Sequence, residues 1–392
     1  MDPRRIAFAL IPSSVWMGGF NYLLNLFKCV TRYQREAIHP ILFYGLSSSK
    51  TDATAFSEIE GVEVVQDRIF DGDGRRVGLR QAITVGVDRK AIACFRRFGI
   101  DLLFESATYY GWKCPIPALA WFPDFQHRYM WTLFSPFAWC RREMGFRAQV
   151  LSNRTILVSS EDGRHDCESF YPRARGHIQV LPFPALVDPK LMIEDPNSIL
   201  VKYALPREFA YLPNQFWKHK NHATVIKALG LLQQRGRPLT VVATGNTHDR
   251  RYPKHLEGLN MLAKQHGVTG HFRILGSIPR EHVIALMRTC SVMINPSYFE
   301  GWSTTVEEAK TLGVPMLLSD LKVHREQAEG SAYFFPPDSH TILASLLEAY
   351  GGNPPDKARL PIPIMEDRMS DFASRFAEAA ISSIERFSTN QK

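Results

Sequence analysis

Residues Asn295–Val314 read NPSYFEGWSTTVEEAKTLGV. The stretch carries a strand end, a short polar loop and the first turns of a helix. Asn295, Pro296 and Ser297 close the apolar run CSVMI, and Gly301 loosens the loop. Thr304 and Thr305 are good helix N-caps. Glu307 and Glu308 follow three residues after each, so both pairs match a capping box. Gly313, with Pro315 behind it, stops the helix. Glu300 and Glu308 bracket the loop with seven residues between them. A helix start preceded by glycine is a ready anion site, because unpaired backbone N–H groups and the helix dipole point outward. A phosphate fits there, with the two carboxylates reaching hydroxyls on either side. An ordinary capped helix with solvated acids fits the same residues.

Outward from this stretch, strands and helices alternate. In the second half, apolar runs at Ala210–Leu212, Leu239–Ala243, Phe272–Leu275, Val292–Asn295, Val314–Leu318 and Ala332–Phe335 read as strands. Helical spacing fills His222–Arg235 and Glu281–Thr289 between them. The first half repeats the style. Strands are expected at Ile6–Ile11, Ile41–Tyr44, Val62–Val65, Asp101–Glu105, Pro117–Trp121, Thr155–Ser159 and His177–Leu181, with helices at Phe20–Thr31 and Arg76–Phe98. Strands separated by helices argue for parallel sheets covered on both faces. The expected architecture is α/β, with two doubly wound, Rossmann-like domains facing a central cleft. The Pro-rich run Pro182–Pro206 lacks periodicity and marks the boundary. The expected division is 1–186, 187–365 and a C-terminal helix within 366–392, after a second linker, GGNPPDKARLPIP. Open parallel sheets bind ligands at their strand C-termini. The candidate loops are therefore Ser13–Gly19, Asp124–His127, Pro213–His222, Thr244–Asn246, Gly276–Ile278 and Tyr298–Thr305.

Composition narrows the class. The chain has 392 residues, 45% apolar and 22% charged, which is globular and large enough for two cores. Its formal charge of +8 allows a face for anionic lipid, nucleic acid or phosphorylated substrates without choosing among them. The six cysteines are scattered without a CxxC pair, as free thiols in a reducing compartment would be. No apolar run approaches the roughly 20 residues of a membrane span. The opening MDPRRIAFALIP reads as a first strand, not as a signal peptide. Zinc-ligand spacing, RNP-like aromatics and helix-turn-helix spacing are not evident, which argues against nucleic acid as a partner. Asp71-Gly72-Asp73 resembles a metal-binding DxD string, but its Gly-rich polar setting reads as a turn, so no metal is expected.

Several pieces resemble one known family. FEGWSTTVEEAKTLGVP looks like the E-x7-E signature of family 4 retaining glycosyltransferases, which have the two-domain GT-B fold. SVWMGGF resembles that family's first glycine loop, and HIQVLPFP its approach to the linker. YLPNQFWKHKNHATVIKAL resembles the opening of its second domain. ILGSIPREHVIALMRTCSVMINPS and SDLKVHREQAEGSAYFFPPDS resemble the runs before and after the signature. The likeness covers nearly the whole chain, most strongly residues 207–340, and the ordered series is more specific than E-x7-E alone.

The resemblance implies roles. Glu308 would hold the ribose hydroxyls of a sugar nucleotide, and Glu300 would face the donor sugar. Backbone amides at Gly301, Trp302 and Ser303, leading into Thr304, would bind sugar or phosphate oxygens. Lys220 would clamp the diphosphate, with help from Lys218 and the helix dipole. Gly18 and Gly19 would bring the first domain's backbone near the phosphates. Gly276, Ser277 and Ile278 would line the base pocket, with Gly245 on the neighbouring loop. His127 would touch donor sugar or acceptor, although a loop histidine bonded to backbone fits its setting too. Two departures stand out. Asn214 occupies the position of a common arginine, and Ser303 replaces the last glycine of E-G-F-G.

The implied activity is transfer of a sugar from a UDP- or GDP-sugar to a glycan or lipid-linked acceptor with retention, needing no metal or other cofactor. A GT-B-like sugar-nucleotide epimerase and a non-catalytic sugar-nucleotide-binding protein are the alternatives. The aromatic-basic run PDFQHRYMWTLFSPFAWCRR allows peripheral contact with an anionic membrane from the cytoplasmic side, or reads as a partly buried connection.

Overall fold

The computed structural model describes residues 2–48, 50–106, 108–328, 330–350 and 362–390. The chain divides into two compact units, one of residues 1–183 with 366–392, the other of residues 184–365.

The first unit is built on a parallel sheet of seven strands. They are β1 (Arg4–Ala9), β2 (Ile38–Tyr44), β3 (Glu63–Gln66), β4 (Leu102–Ser106), β5 (Ala118–Trp121), β6 (Thr155–Val158) and β7 (Ile178–Val180), in the order β3-β2-β1-β4-β5-β6-β7. The second unit has six: β8 (Ala210–Leu212), β9 (Val241–Thr244), β10 (Phe272–Gly276), β11 (Val292–Asn295), β12 (Met316–Ser319) and β13 (Ala332–Phe335), in the order β10-β9-β8-β11-β12-β13. Every strand pairing is parallel. The α/β, doubly wound reading of the two halves holds in both sheets.

Short apolar runs form these strands because both sheet faces are covered, so neighbouring residues are buried on opposite sides. In the second unit Leu212, Val241 and Ile294 face one core with Val225 and Leu229 of the helix His222–Gln234. Their neighbours Tyr211, Val242 and Met293 face the other, with Ile284 and Met287 of the helix Arg280–Thr289. Burying a side chain of this size contributes about 1.5–3 kcal/mol. The first unit is completed from far along the sequence. The helix Ile362–Asn390 lays Phe376 6.1 Å from both Phe8 and Phe104, and Ser383 Oγ donates to Thr155 Oγ1 at 2.8 Å.

Several expected elements change. Helix begins at Met17, not Phe20, so Gly18 and Gly19 are helical, not loop. The expected helix Arg76–Phe98 is two helices, Gly72–Thr84 and Arg89–Arg97. Gly86 turns the chain between them at φ +90°, and Asp88 caps the second by accepting from the Ala91 amide. Asp71 is the N-cap residue of the first, which makes the DxD string a helix start in place of a free turn. Its carboxylate accepts from the Ser47 amide and hydroxyl. The run after Phe134 is a helix, Pro136–Leu151, started by Ser135. The boundary segment holds two short helical pieces, Pro189–Met192 and Pro196–Lys202. The second expected linker falls largely on residues 351–361, outside the described residues. The six cysteines carry free thiols, and five of them are buried.

Candidate active site

Strand order decides where a ligand can sit. In the second unit β8 lies between β9 and β11, so the loops after β8 and β11 leave in opposite directions and open a crevice. The first loop carries Asn214, Lys218 and Lys220; the second carries Glu300 to Ser303. The two strand ends are joined by Asn214, whose Nδ2 donates to Asn295 Oδ1 at 3.2 Å.

Asn295 is the hub of a buried polar network. Its Nδ2 donates to Glu300 Oε1 at 3.3 Å and to Ser303 Oγ at 3.1 Å, and its Oδ1 accepts from Ser297 Oγ at 2.7 Å. Ser297 and Asn295 are fully buried, and satisfied polar networks of this kind hold a loop in one geometry. Glu300 Oε1 therefore accepts from Lys220 Nζ at 2.6 Å and from Asn295 Nδ2, and shares with Asn295 Oδ1 the single proton of the Ser297 hydroxyl, 2.7 Å away. Burial alone would raise the Glu300 pKa. The charges of Lys220 and His324 and the bonds from Lys220 and Ser297 together outweigh it and hold the carboxyl at about 2. Glu300 is thus ionised, and Lys220 is its counter-ion.

The helix Thr304–Leu312 starts one residue earlier than its threonines suggest. Ser303 is the N-cap residue, and no side chain caps the helix. The Ser303 amide, expected for a ligand, instead donates to Gln327 Oε1 at 3.1 Å, while Gln327 Nε2 donates to the Ser303 carbonyl at 2.8 Å. Gln327 also reaches Glu307 Oε1 at 3.0 Å. The buried amide thus reads the Ser303 backbone at both groups, as a strand neighbour would, and fixes the loop at its junction with the helix. The serine here participates in the Asn295 network, a bond that a glycine would lack. Gly301, Trp302 and Thr304 are half-buried beside it.

Glu308 lies in the same helix, 6% exposed at its side chain, and is gripped by Arg280. Arg280 Nη1 donates to Oε2 at 3.3 Å, and Nη2 donates to Oε1. On the base-side loops, Gly245 has φ +142° and Gly276 φ +70°. The Gly245 amide donates to the Gly276 carbonyl at 2.9 Å, tying the ends of β9 and β10 together. A Cβ on Gly245 would stand 2.5 Å from the Asn214 carbonyl oxygen, so the chain passes there too closely for any side chain. Ser277 is exposed and Ile278 half-buried. Lys218 is turned away from Glu300. Its ammonium lies 4.5 Å from the Tyr252 ring centre, and its amide donates to Asp249.

His324 supports the loop from below. Its Nδ1 lies 2.8 Å from the Ser319 carbonyl oxygen, which only accepts, so Nδ1 carries the proton. Ser319 Oγ in turn donates to the Ser297 carbonyl at 2.6 Å. Burial holds the His324 pKa below its ordinary value. His222, which opens its helix, is fully buried and stacked on Phe216 at 4.3 Å; burial pushes its pKa down to about 3.

The remaining expected residues belong to the first unit. Trp16 folds back over Gly18 and Gly19 and stacks on Trp121 at 5.3 Å. A Cβ on Gly19 would fall 2.3 Å from that indole, so Trp16 packing requires this glycine. His127 is not on a surface loop. It sits in the short helix Gln126–Tyr129, fully buried, with Nε2 3.2 Å from Glu143 Oε2. Phe134, Trp139 and Phe146 surround its ring. Burial first, then the charge of Arg142, lowers its pKa in spite of Glu143. Glu143 also accepts from Arg128, Arg147 and Tyr171. In this position His127 is a core histidine. Among the described residues no group of three His, Cys, Asp or Glu side chains could hold a metal.

Sequence reasoning had named Lys220, Glu300 and Glu308 but not Asn295, Arg280, His324 or Gln327 as their partners. The arginine and glutamine carry no motif of their own; only the fold brings positions 280 and 327 against the signature helix.

Two doubly wound parallel sheets, with E-x7-E at the switch point of the second, define the GT-B class of glycosyltransferase folds. Residues 203–360 match the family profile described as glycosyl transferases group 1. A putative glycosyltransferase of Bacillus subtilis (strain 168), EpsF, is 32% identical over 179 residues. The match covers 45% of this chain and 44% of that protein, so the chain spans less than half the length of this curated relative. Among solved structures, a glycosyltransferase from Rickettsia africae superposes with a TM-score of 0.66 at 13% identity, over 98% of this chain and 94% of that one. Anabaena Alr3699/HepE in complex with UDP and glucose gives a TM-score of 0.62 at 15% identity, over 99% of each.

Proposed function

We propose that this protein is a nucleotide-sugar-dependent glycosyltransferase that moves a sugar to a glycan or lipid-linked acceptor with retention of anomeric configuration. The observation that carries the reading is the convergence of Lys220, Asn214 and Glu300 at the β8/β11 switch point, with Glu308 in the helix that follows. The donor complexes of the Anabaena protein make UDP the leading nucleotide, with GDP the other.

The chemistry follows from charge. As the sugar leaves, the nucleoside diphosphate gains negative charge, and a prearranged cation stabilises it without reorganising. Lys220 supplies that cation. Its ammonium lies 2.6 Å from Glu300, so a diphosphate beside it would compete for the ammonium and free the carboxylate to accept from sugar hydroxyls. Asn295 and Ser297 keep Glu300 oriented during the exchange. Glu308 accepts from the ribose. No metal is needed where lysine and the helix N-terminus carry the charge. Tyr129, Trp131 and Phe137 are exposed in the first unit beside exposed Arg141, which supports an acceptor held at a lipid surface. Among the described residues no helix is long and apolar enough to cross a membrane.

The test pairs binding with turnover. UDP or GDP at 100 times its Kd should stabilise the protein by about 2.7 kcal/mol. Glu300→Gln should keep that stabilisation and lose sugar transfer by about 100-fold or more. Stabilisation by none of UDP, GDP and ADP refutes the donor site. Interconversion of the nucleotide sugar without transfer would instead favour an epimerase, and binding without either reaction a non-catalytic protein.

A further inference from the structure

Arg280 breaks a local rule. It is the first residue of the helix Arg280–Thr289, where the helix dipole favours an acidic side chain over a basic one. Such a violation asks for a compensating partner, and functional sites are where these violations gather. The partner is Glu308, whose two oxygens each receive one guanidinium N–H. Glu308 is 6% exposed and Arg280 40%, so a buried carboxylate is paired with a part-exposed arginine.

An ionised carboxylate offers about four acceptor positions over its two oxygens. The fork of Arg280 uses one on each oxygen and fixes the plane of the group. One position on each oxygen is left, at a set orientation. The fork takes the two positions that lie side by side, so the free ones face outward on opposite flanks of the group, and one of them can accept from a hydroxyl of the ribose 2′,3′-diol. Arg280 follows Gly276, Ser277, Ile278 and Pro279 directly, so the same backbone segment that would line the base also fixes the acid that would read the sugar.

We propose that Arg280 is a positioning residue for the nucleoside: by locking the Glu308 carboxylate it makes the site select ribonucleoside diphosphates over analogues lacking the ribose hydroxyls. This rests on the nucleotide-sugar reading, and on Glu308 as the ribose acceptor within it. Without the arginine, Glu308 turns about its side-chain bonds and its buried charge loses its counter-ion. The contact to the ribose hydroxyls weakens, while those to base and diphosphate stay.

The experiment measures Kd by calorimetry for UDP and 2′,3′-dideoxy-UDP, or for the GDP or ADP pair if that nucleotide is the one bound. Wild type and Arg280→Gln are compared. Wild type should favour the ribonucleotide by about tenfold or more, the low end for losing hydrogen bonds to a charged acceptor. Arg280→Gln should reduce that preference to about threefold or less by weakening the ribonucleotide alone. If it weakens both ligands equally, or neither, Arg280 is a structural residue and the inference is overturned. If wild type itself shows no preference, Glu308 does not read the ribose, and that reading falls together with this one. Should Arg280→Gln fail to fold, Arg280→Lys keeps the charge without the fork and should give an intermediate preference.

Discussion

Lys220→Met tests the electrostatics of the site without requiring the acceptor. It replaces the ammonium by an apolar group of similar length and leaves Glu300 as a carboxylate 9% exposed. The stake can be read from the Glu300 pKa, which falls from an ordinary 4.5 to about 2. That fall is worth about 3 kcal/mol at 1.36 kcal/mol per unit. Asn295 and Ser297 keep donating, so the part lost with the lysine is about 2–3 kcal/mol, within reach of what breaking a buried ion pair costs. For a unit of this size the midpoint should drop by about 5–10 °C. The sign of the pH dependence follows. A carboxylate with a depressed folded pKa gives stability that is present above 4.5 and lost as pH falls toward 2. In the variant burial meets less opposition, Glu300 takes up its proton at higher pH, and the gap to wild type narrows on acidification. Adding Glu300→Gln to Lys220→Met should recover most of the loss at pH 7.5, since no charge is left stranded. Thermal unfolding at pH 7.5 and pH 5 checks this. A single variant as stable as wild type, or a gap that does not narrow at pH 5, would refute the argument.

Two further outcomes are expected. His222, with its folded pKa near 3 against 6.5 unfolded, binds its proton only in the unfolded state between those values. Its contribution to stability is therefore complete above pH 6.5 and falls by about 2 kcal/mol by pH 5, and urea titrations of His222→Phe should show a weaker acid dependence than wild type. Gly245→Ala should lower nucleotide affinity at least tenfold and also lower the midpoint, because its Cβ collides with the Asn214 backbone that shapes the loop; unchanged calorimetric affinity would remove this crossing from the site.

The strands were legible because each is a short apolar run between polar breaks, as CSVMI is before Asn295. Position relative to a strand end was legible too, which is how the loops Pro213–His222 and Tyr298–Thr305 could be set beside a crevice, while Lys220 within the first was singled out by the family resemblance. The helix Pro136–Leu151 was not, because Trp139, Arg142, Glu143 and Phe146 mix aromatic and charged groups without a clean apolar stripe. Its Glu143 is held by Arg147 one turn on and by three partners from outside the helix, His127, Arg128 and Tyr171, which no periodicity reports. The cap of the signature helix was misplaced for a related reason. Thr304 and Thr305 have the propensity, but Gln327 holds Ser303 by its backbone, and tertiary hydrogen bonds override a capping preference. Gly18 and Gly19 invited a loop reading because Trp16, which closes over them, gives no sign in sequence of where its ring will lie.

The helix Ile362–Asn390 has a consequence for how the protein is made. Residues 184–365 are inserted, in chain order, between two parts of one unit. The first sheet leaves the ribosome early, but Phe8 and Phe104 wait for Phe376 to cover them. At 5–20 residues per second, the gap between residues 183 and 366 lasts roughly 10–40 s. The inserted unit is contiguous and can fold within that interval. The unit begun first is thus the one finished last, and its uncovered aromatic face is the surface on which a nascent chain would call for a chaperone.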